Sequence, residues 1–492
     1  MSELPCGWEN VPIVELLAPL SDGRIIHQGW SPQCAQGSSP SNDIWGVLKT
    51  TAIQDGKFLS QHNKLLPDTL EPRALLEVNK GDILLTCAGP RIRCGVPCLV
   101  RSTRPKLIIS GKMYRMRAME PYVVSRFVEA MLRAAVTQDA IDGIKTGMSE
   151  SGMNLTHARF AKIEIPVPPT NEQKRIADKL DAVLARADAC RDRLDRVPAI
   201  LKRFRQSVVS TAVTGKLTDD WRNQQSTSPD IYRSKSTTLV DLCLAGRVIT
   251  YGVIKLGDET PQGVPCLRTS NVRWLRFDAE GIKRIASGLS LEYSRTILQG
   301  GEVLVNVRGT LGGVAVVSTN MIGWNVSREV AVVPVDATKA SPDFLALWIA
   351  SDSSQRWLSK VKKGVAYVGI NIEDLRVLPV KIPSLQEQTE IVRRVVSLFA
   401  YADRLEARYA SARAQTGRLT PALLAKAFRG ELVTQDPNDE PASTLLERIR
   451  AARTEAEKKP KQRIESRKVP KLKITIETIK SIIQKLPEET FT

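Results

Sequence analysis

The chain has 492 residues, enough for two to four cores at about 100 to 200 residues per domain. Its 42% hydrophobic content is ordinary for a folded protein, and no run approaches the roughly 18 apolar residues of a membrane span. Lys and Arg number 71 against 53 Asp and Glu, a formal net charge of +18 that favours a polyanionic partner without choosing between DNA, RNA and a membrane surface.

The N-terminus, Met1-Ser2-Glu3-Leu4-Pro5, lacks the basic start and apolar stretch of a secretory signal, so a cytoplasmic location is expected. The eight cysteines follow no framework spacing. Cys94 and Cys98 come nearest to a metal pair, but the three histidines, His27, His62 and His157, supply no paired ligands, and buried thiols are the simpler expectation.

In chain order, Gly81-Asp82-Ile83-Leu84-Leu85 reads as a turn and a short buried strand, followed by a Gly-containing basic loop from Ala88 to Gly95. An amphipathic helix is expected from about Pro121 to Ile144. Pro168 precedes a long helix, which Thr170 and Gln173 fit as a capping box. Its apolar residues step by four and three: Ile176, Leu180, Val183, Ala187, Cys190, Leu194, Val197, Leu201, Phe204, Val208. Such a heptad stripe marks a coiled coil. From 172 to 217 an unbroken helix would extend roughly 70 Å, a rigid spacer, although a hairpin or homodimer seam would carry the same stripe.

The second half repeats the first. Gly301-Glu302-Val303-Leu304-Val305 is followed by a basic loop, Val307 to Gly313, and an amphipathic helix from about Pro342 to Val361, with Ser341 as cap and Pro342 in the first position. After Pro383 comes another capping box, Ser384 with Glu387, and a second stripe: Ile391, Val395, Leu398, Ala402, Leu405, Tyr409, Ala412, Thr416, Leu419, Leu423. Glu172-Gln173 recurs as Glu387-Gln388, and Gly215 as Gly430, each displaced by 215 residues (387 minus 172; 430 minus 215) without a gap. Pro198 and Pro421 fall inside the two stripes, where kinks or short breaks are expected. Between these landmarks the halves diverge, which suggests one scaffold presenting two surfaces. The basic, proline-interrupted stretch from Ala451 to Lys473 should be mobile, and Ile479, Ile482, Ile483 and Leu486 would line either a docking helix or a frayed one.

This order and duplication resemble the specificity subunit of type I restriction–modification systems, over residues 1 to about 450. The resemblance rests on Pro168-Pro169-Thr170-Asn171-Glu172-Gln173 and Pro383-Ser384-Leu385-Gln386-Glu387-Gln388 with their heptads. It rests also on Leu267-Arg268-Thr269-Ser270-Asn271-Val272 and on Gly301 to Gly312. The loop Thr86 to Arg93 departs from the common pattern. The resemblance implies an α+β fold: two mixed α/β target-recognition domains alternating with two long helices that pair as an antiparallel coiled coil. The expected boundaries are 1–165 for the first recognition domain, 166–225 for the first helical spacer, 238–382 for the second domain, 383–435 for the second spacer, and 436–492 for a basic, largely flexible tail. It also implies that each domain reads one half of a split site in double-stranded DNA, and that the helices set the spacing and dock two copies of the methylation subunit. A restriction subunit would complete the complex. S-adenosylmethionine and ATP with Mg would sit on those partners, with no cofactor in this chain and no membrane partner.

Base reading uses Arg or Lys on guanine and Asn or Gln on adenine, while phosphates take Arg, Lys and small polar groups. In the first domain the candidates are Arg91, Arg93, Lys112, Arg115 and Lys145, with Tyr114 as a candidate or a core residue. In the second they are Arg268, Asn271, Arg308, Lys362, Lys363 and Tyr367, the last, like Tyr114, a candidate or a core residue. Arg308, in Arg-Gly-Thr, fits a close phosphate approach or simply a tight turn. No catalytic motif accompanies them. The nearest approach to an Asn/Asp-Pro-Pro-aromatic tetrapeptide is Val167-Pro168-Pro169-Thr170, and the chain has no nucleotide-cradling Gly-x-x-x-x-Gly-Lys-Ser/Thr loop, Gly-x-Ser-x-Gly elbow or His-Glu-x-x-His helix. A non-catalytic subunit is therefore expected. The alternatives are a self-contained methyltransferase or nuclease, and a coiled-coil scaffold whose basic surface binds an acidic protein.

Overall fold

The structure, a computed structural model, describes residues 4–34, 37–39, 41–224, 235–362 and 369–458. It divides into two compact units, one built from Met1–Leu184 with Thr420–Thr492 and the other from Ala185–Leu419. Among the described residues no helix is long and apolar enough to cross a membrane.

The two units share one topology. In the first, a four-stranded antiparallel sheet runs in the order His27–Gln28, Met113–Met116, Ile83–Thr86, Pro97–Leu99. In the second, the order is Thr250–Tyr251, Val330–Val333, Val303–Asn306, Val314–Val316, the same path through the sheet. A three-stranded sheet accompanies each, with one parallel and one antiparallel pairing: Gly46–Leu48 lies between Leu107–Ile108 and Asn63–Leu65, and Val264–Leu267 between Asn325–Val326 and Lys283–Ile285. The central strands Ile83–Thr86 and Val303–Asn306 are buried along their whole length, as the continuous apolar runs predict. The acid before each strand is buried too. Asp82 accepts from Arg117 at 2.5 Å and Glu302 from Arg247 at 3.0 Å, so each buried charge is paired with an arginine from a distant segment while backbone amides of its own turn also donate to it.

Each expected amphipathic helix is two helices. Ser125–Arg133 and Ala135–Gly143 meet at an extended Ala134, and Pro342–Ala350 and Asp352–Val361 at an extended Ser351. Ser341 caps the second pair through the Phe344 amide at 3.4 Å, with Pro342 in the first turn as expected. Ser351 caps the next helix by accepting from the Ser354 amide, which gives its break a local cause.

The first long helix covers Thr170–Leu194 and resumes as Val197–Val213, so the break expected at Pro198 is present. The second runs unbroken from Leu385 to Phe428 through Pro421, so no break accompanies that proline. It is held on both sides of the proline: Arg191 donates to the Thr416 carbonyl at 3.0 Å, while Leu424, Ala427 and Phe428 lie in the core of the first unit. The helices pair antiparallel. In the second unit Asp195 meets Arg413 at 2.7 Å and Arg205 meets Asp403 at 2.5 Å, the numbers rising on one helix as they fall on the other. In the first unit Ile176 and Leu180 share a core with Leu424 and Phe428. Ile391, Val395 and Leu201 are buried, while Val183, Leu194, Leu398 and Leu405 are half-buried, as a two-helix seam allows. Leu419 differs from the expectation. It is 38% exposed because the stripe moves to Thr420 and Leu424, the drift of a 3.6-residue turn against a 3.5-residue repeat.

The capping boxes are only half realised. Ser384 accepts from the Glu387 amide at 3.3 Å, but Thr170 lies inside its helix and donates to the Tyr122 carbonyl at 2.9 Å. The acids of the boxed motifs point inward instead. Glu172 accepts from the Trp8 indole at 3.0 Å, and Glu387 from the Thr218 hydroxyl at 2.5 Å.

The expected flexible tail begins as structure. Ala442–Lys458 is a helix whose Leu445, Leu446 and Ile449 complete the core of the first unit. Its Arg450 pairs with Glu15 at 2.9 Å, and Arg453 donates to the carbonyls of Val14 and Leu17 at 2.6 Å. The apolar spacing Leu445, Leu446, Ile449 outweighs the charged composition around it. The stretch 459–492, with the proposed docking helix at Ile479 to Leu486, lies outside the described residues.

Candidate nucleic-acid interface

Sheet register decides which loops share an end. In the first unit Thr86 pairs with Met113, and Gln28 with Tyr114. The segments after Gln28, after Thr86 and before Met113 therefore converge. In the second, Asn306 pairs with Val330, and Tyr251 with Ala331, so the corresponding three segments converge there. A residue following each amphipathic pair joins the same end: Asn154 pairs with Ala88, and Gly369 bridges Arg308.

Most of the basic residues that the sequence assigns to this surface are engaged within the protein. Arg91 donates to Glu150 at 2.9 Å and to Asp142 at 2.8 Å, and the Lys145 ammonium donates to Asp142 at 2.8 Å and to the Arg91 carbonyl at 2.9 Å. Together they brace the two loops against each other. Arg93 donates to the carbonyls of Thr50 and Ile53 at 2.8 and 2.6 Å. Arg115, expected at the surface, is buried and donates to the carbonyls of Leu75 and Glu77 and to His27. Tyr114 is a core residue, 1% exposed, with its hydroxyl on the Leu155 carbonyl at 2.5 Å and its ring against His157.

The same holds in part for the second unit. Asn271 is fully buried: it accepts from the Arg268 amide and donates to the carbonyls of Asp278 and Glu280, so it locks a loop rather than facing outward. Arg268 donates to the Gly281 carbonyl at 2.7 Å. Lys112, Arg308 and Lys362 are exposed. Lys363 and Tyr367 lie outside the described residues.

Cys87, Cys94 and Cys98 are buried, and burial pushes the Cys87 thiol up to about 12. Among the described residues no three His, Cys, Asp or Glu side chains are grouped to hold a metal ion.

A family model described as "Type I restriction modification DNA specificity domain" matches residues 139–197 and 259–410. The chain is 30% identical over 465 residues to the type I restriction enzyme EcoKI specificity subunit of Escherichia coli K12, covering 92% of this chain and 96% of that one. It is 36% identical over 305 residues to the EcoBI specificity subunit of Escherichia coli, covering 59% of this chain and 64% of the relative. Two solved structures share the fold at 19% identity. One is a chain from work on complex assembly and conformational transition of the type I R-M system (TM-score 0.63, 88% of this chain, 100% of that one). The other is the HsdS subunit of Thermoanaerobacter tengcongensis (TM-score 0.53, 87% and 98%).

Proposed function

Since the chain belongs to the family of type I restriction–modification specificity subunits, we propose that it recognises a DNA sequence within such a complex and performs no catalysis itself. The observation that supports this best is the duplication of topology with divergence at one end. Both four-stranded sheets follow the same path, yet the loops at their shared end differ in length and charge. One scaffold used twice, with two reading surfaces, suits a site in two parts.

In this reading residues 1–165 and 238–382 each take one half-site, the first completed by the helix Ala442–Lys458. The antiparallel helices of 166–225 and 383–435 hold the spacing and dock two methylation subunits. A restriction subunit joins in the full assembly, and S-adenosylmethionine and ATP with Mg belong to those partners. Lys112, Arg308 and Lys362 are exposed and suited to phosphate or base contact.

The test is coexpression with the cognate methylation subunit in a methylation-free host, followed by mapping of modified adenines. A single two-part motif with a fixed gap is expected. A folded, copurifying complex that modifies no adenine would count against the reading.

A further inference from the structure

With Arg91, Arg93, Arg115 and Lys145 committed internally, two other guanidinium groups stand out. In the first unit the Arg73 guanidinium lies over the Trp30 ring, 4.4 Å from its centroid. In the second, Arg308 lies over Tyr251 at 5.7 Å. Both arginines are exposed, and neither has a carboxylate partner among the described residues. Stacking on a ring fixes the plane of the guanidinium while leaving its N–H edge free, so little rotamer freedom remains to be lost on binding.

The two aromatic residues flank equivalent glycines, since Gln28 and Tyr251 hold the same register position one residue before Gly29 and Gly252, while the arginines come from different loops, Arg73 ahead of its central strand and Arg308 just after its own. Trp30 follows Gly29, and Tyr251 precedes Gly252, at the end of the equivalent edge strand. These glycines are required by a close crossing: a Cβ on Gly29 would lie 2.3 Å from the Ile109 and Ser110 carbonyl oxygens, and one on Gly252 1.8 Å from that of Val326. The crossing anchors each aromatic residue at the end of the sheet where the variable loops meet. The arginines are anchored as well. Arg115 holds the carbonyls of Leu75, inside the turn that Arg73 opens, and of Glu77, which closes it, and the Arg308 amide donates to the Glu329 carbonyl at 3.2 Å.

We propose that Arg73 on Trp30 and Arg308 on Tyr251 are two base-reading heads, each directing a planar guanidinium to a guanine edge, one in each half of the recognised site. This rests on the DNA-recognition reading above. Guanine presents O6 and N7 side by side in the major groove, where a stacked guanidinium offers two N–H donors in one fixed plane, whereas a lysine ammonium reaches the same edge as a point charge on a flexible stem with no plane held by the ring.

The test compares the wild-type complex with Arg73→Lys and Arg308→Lys, which keep the charge but lose the fork, and with Trp30→Leu and Tyr251→Leu, which remove the platform. Each is coexpressed with the methylation subunit, and the modified motif and the salt dependence of DNA binding are measured. Each Arg→Lys change should make one guanine position degenerate in its own half-site, with discrimination falling roughly tenfold, and leave the other half-site intact. The matching aromatic change should relax the same position. An unchanged motif in both lysine variants would overturn the proposal. So would an unchanged motif with weaker binding in Arg→Ala variants and a salt slope smaller by about 1, since that is a phosphate contact. Failure of the underlying reading would show differently, as no two-part motif in the wild-type complex, and would remove both.

Discussion

Gln173 and Gln388 make the same two hydrogen bonds in their separate units. Each donates its side-chain amide to the carbonyl of a proline five residues back, Pro168 at 3.0 Å and Pro383 at 2.9 Å. Each also accepts from a backbone amide at the start of its domain's amphipathic helices, that of Val124 at 3.1 Å and that of Ser341 at 2.7 Å. Both side chains are fully buried, so a long helix is tied to a recognition domain by one amide group, twice. Replacing either glutamine by alanine strands a buried amide and a buried carbonyl, and should cost about 1 to 3 kcal/mol in urea unfolding. The loss should fall on the unit that carries the change, resolved by hydrogen exchange.

The neighbouring acid behaves differently. Burial pushes the Glu172 carboxyl above its ordinary value, against the opposing pull of the Trp8 indole and Arg175. A raised folded-state value means that this group's contribution is full while it is protonated in both states, and is lost as pH rises through the folded value. Glu172→Gln keeps an acceptor for Trp8 without that loss. It should be at least as stable as the wild type at pH 7, and the advantage should shrink towards pH 4. A variant less stable than the wild type at pH 7 would show that the carboxylate is satisfied by its surroundings.

Lys112 and Arg93 should separate binding from folding. Lys112 is exposed, and Lys112→Ala should leave stability unchanged while reducing the salt slope of DNA binding by about 1. Arg93 ties its loop to the carbonyls of Thr50 and Ile53, and Arg93→Ala should cost about 1 to 3 kcal/mol of stability. The opposite pattern would exchange their roles.

The C-terminal helix can be tested by a single truncation of a side chain. Leu446 is 5% exposed in the core of the first unit, and Leu446→Ala should destabilise that unit by about 2 to 5 kcal/mol. Limited proteolysis should then cut within residues 4–165 before it cuts within 238–382.

The duplication, the long helices and the buried strands were legible because each rests on a period or a run that survives without tertiary context. The split of each amphipathic helix was only partly so: Ser351 announces a cap, whereas Ala134 carries no signal. Arg115 and Asn271 were misplaced for a common reason. Arginine and asparagine are the residues that read bases and also the residues that satisfy backbone carbonyls in loops, and only the fold shows which carbonyls lie within reach. Trp30, Tyr251 and Arg73 were missed because stacking joins residues that are distant in sequence. A glycine beside an aromatic residue near the start of each half was the available clue.

The Ala442 amide donates to the Gly7 carbonyl at 2.9 Å, and Arg175 pairs with Asp439 at 2.6 Å, so the first unit is made of the beginning and the end of the described chain. On the ribosome this reverses the usual order of completion. The second unit, Ala185–Leu419, has all its residues once Leu419 has emerged, while the first waits with an open apolar face for Leu424, Phe428 and Ile449. Synthesis that stops short of this last stretch leaves a chain with a finished second unit and an unfinished first one, whose exposed core is what chaperones and proteases recognise.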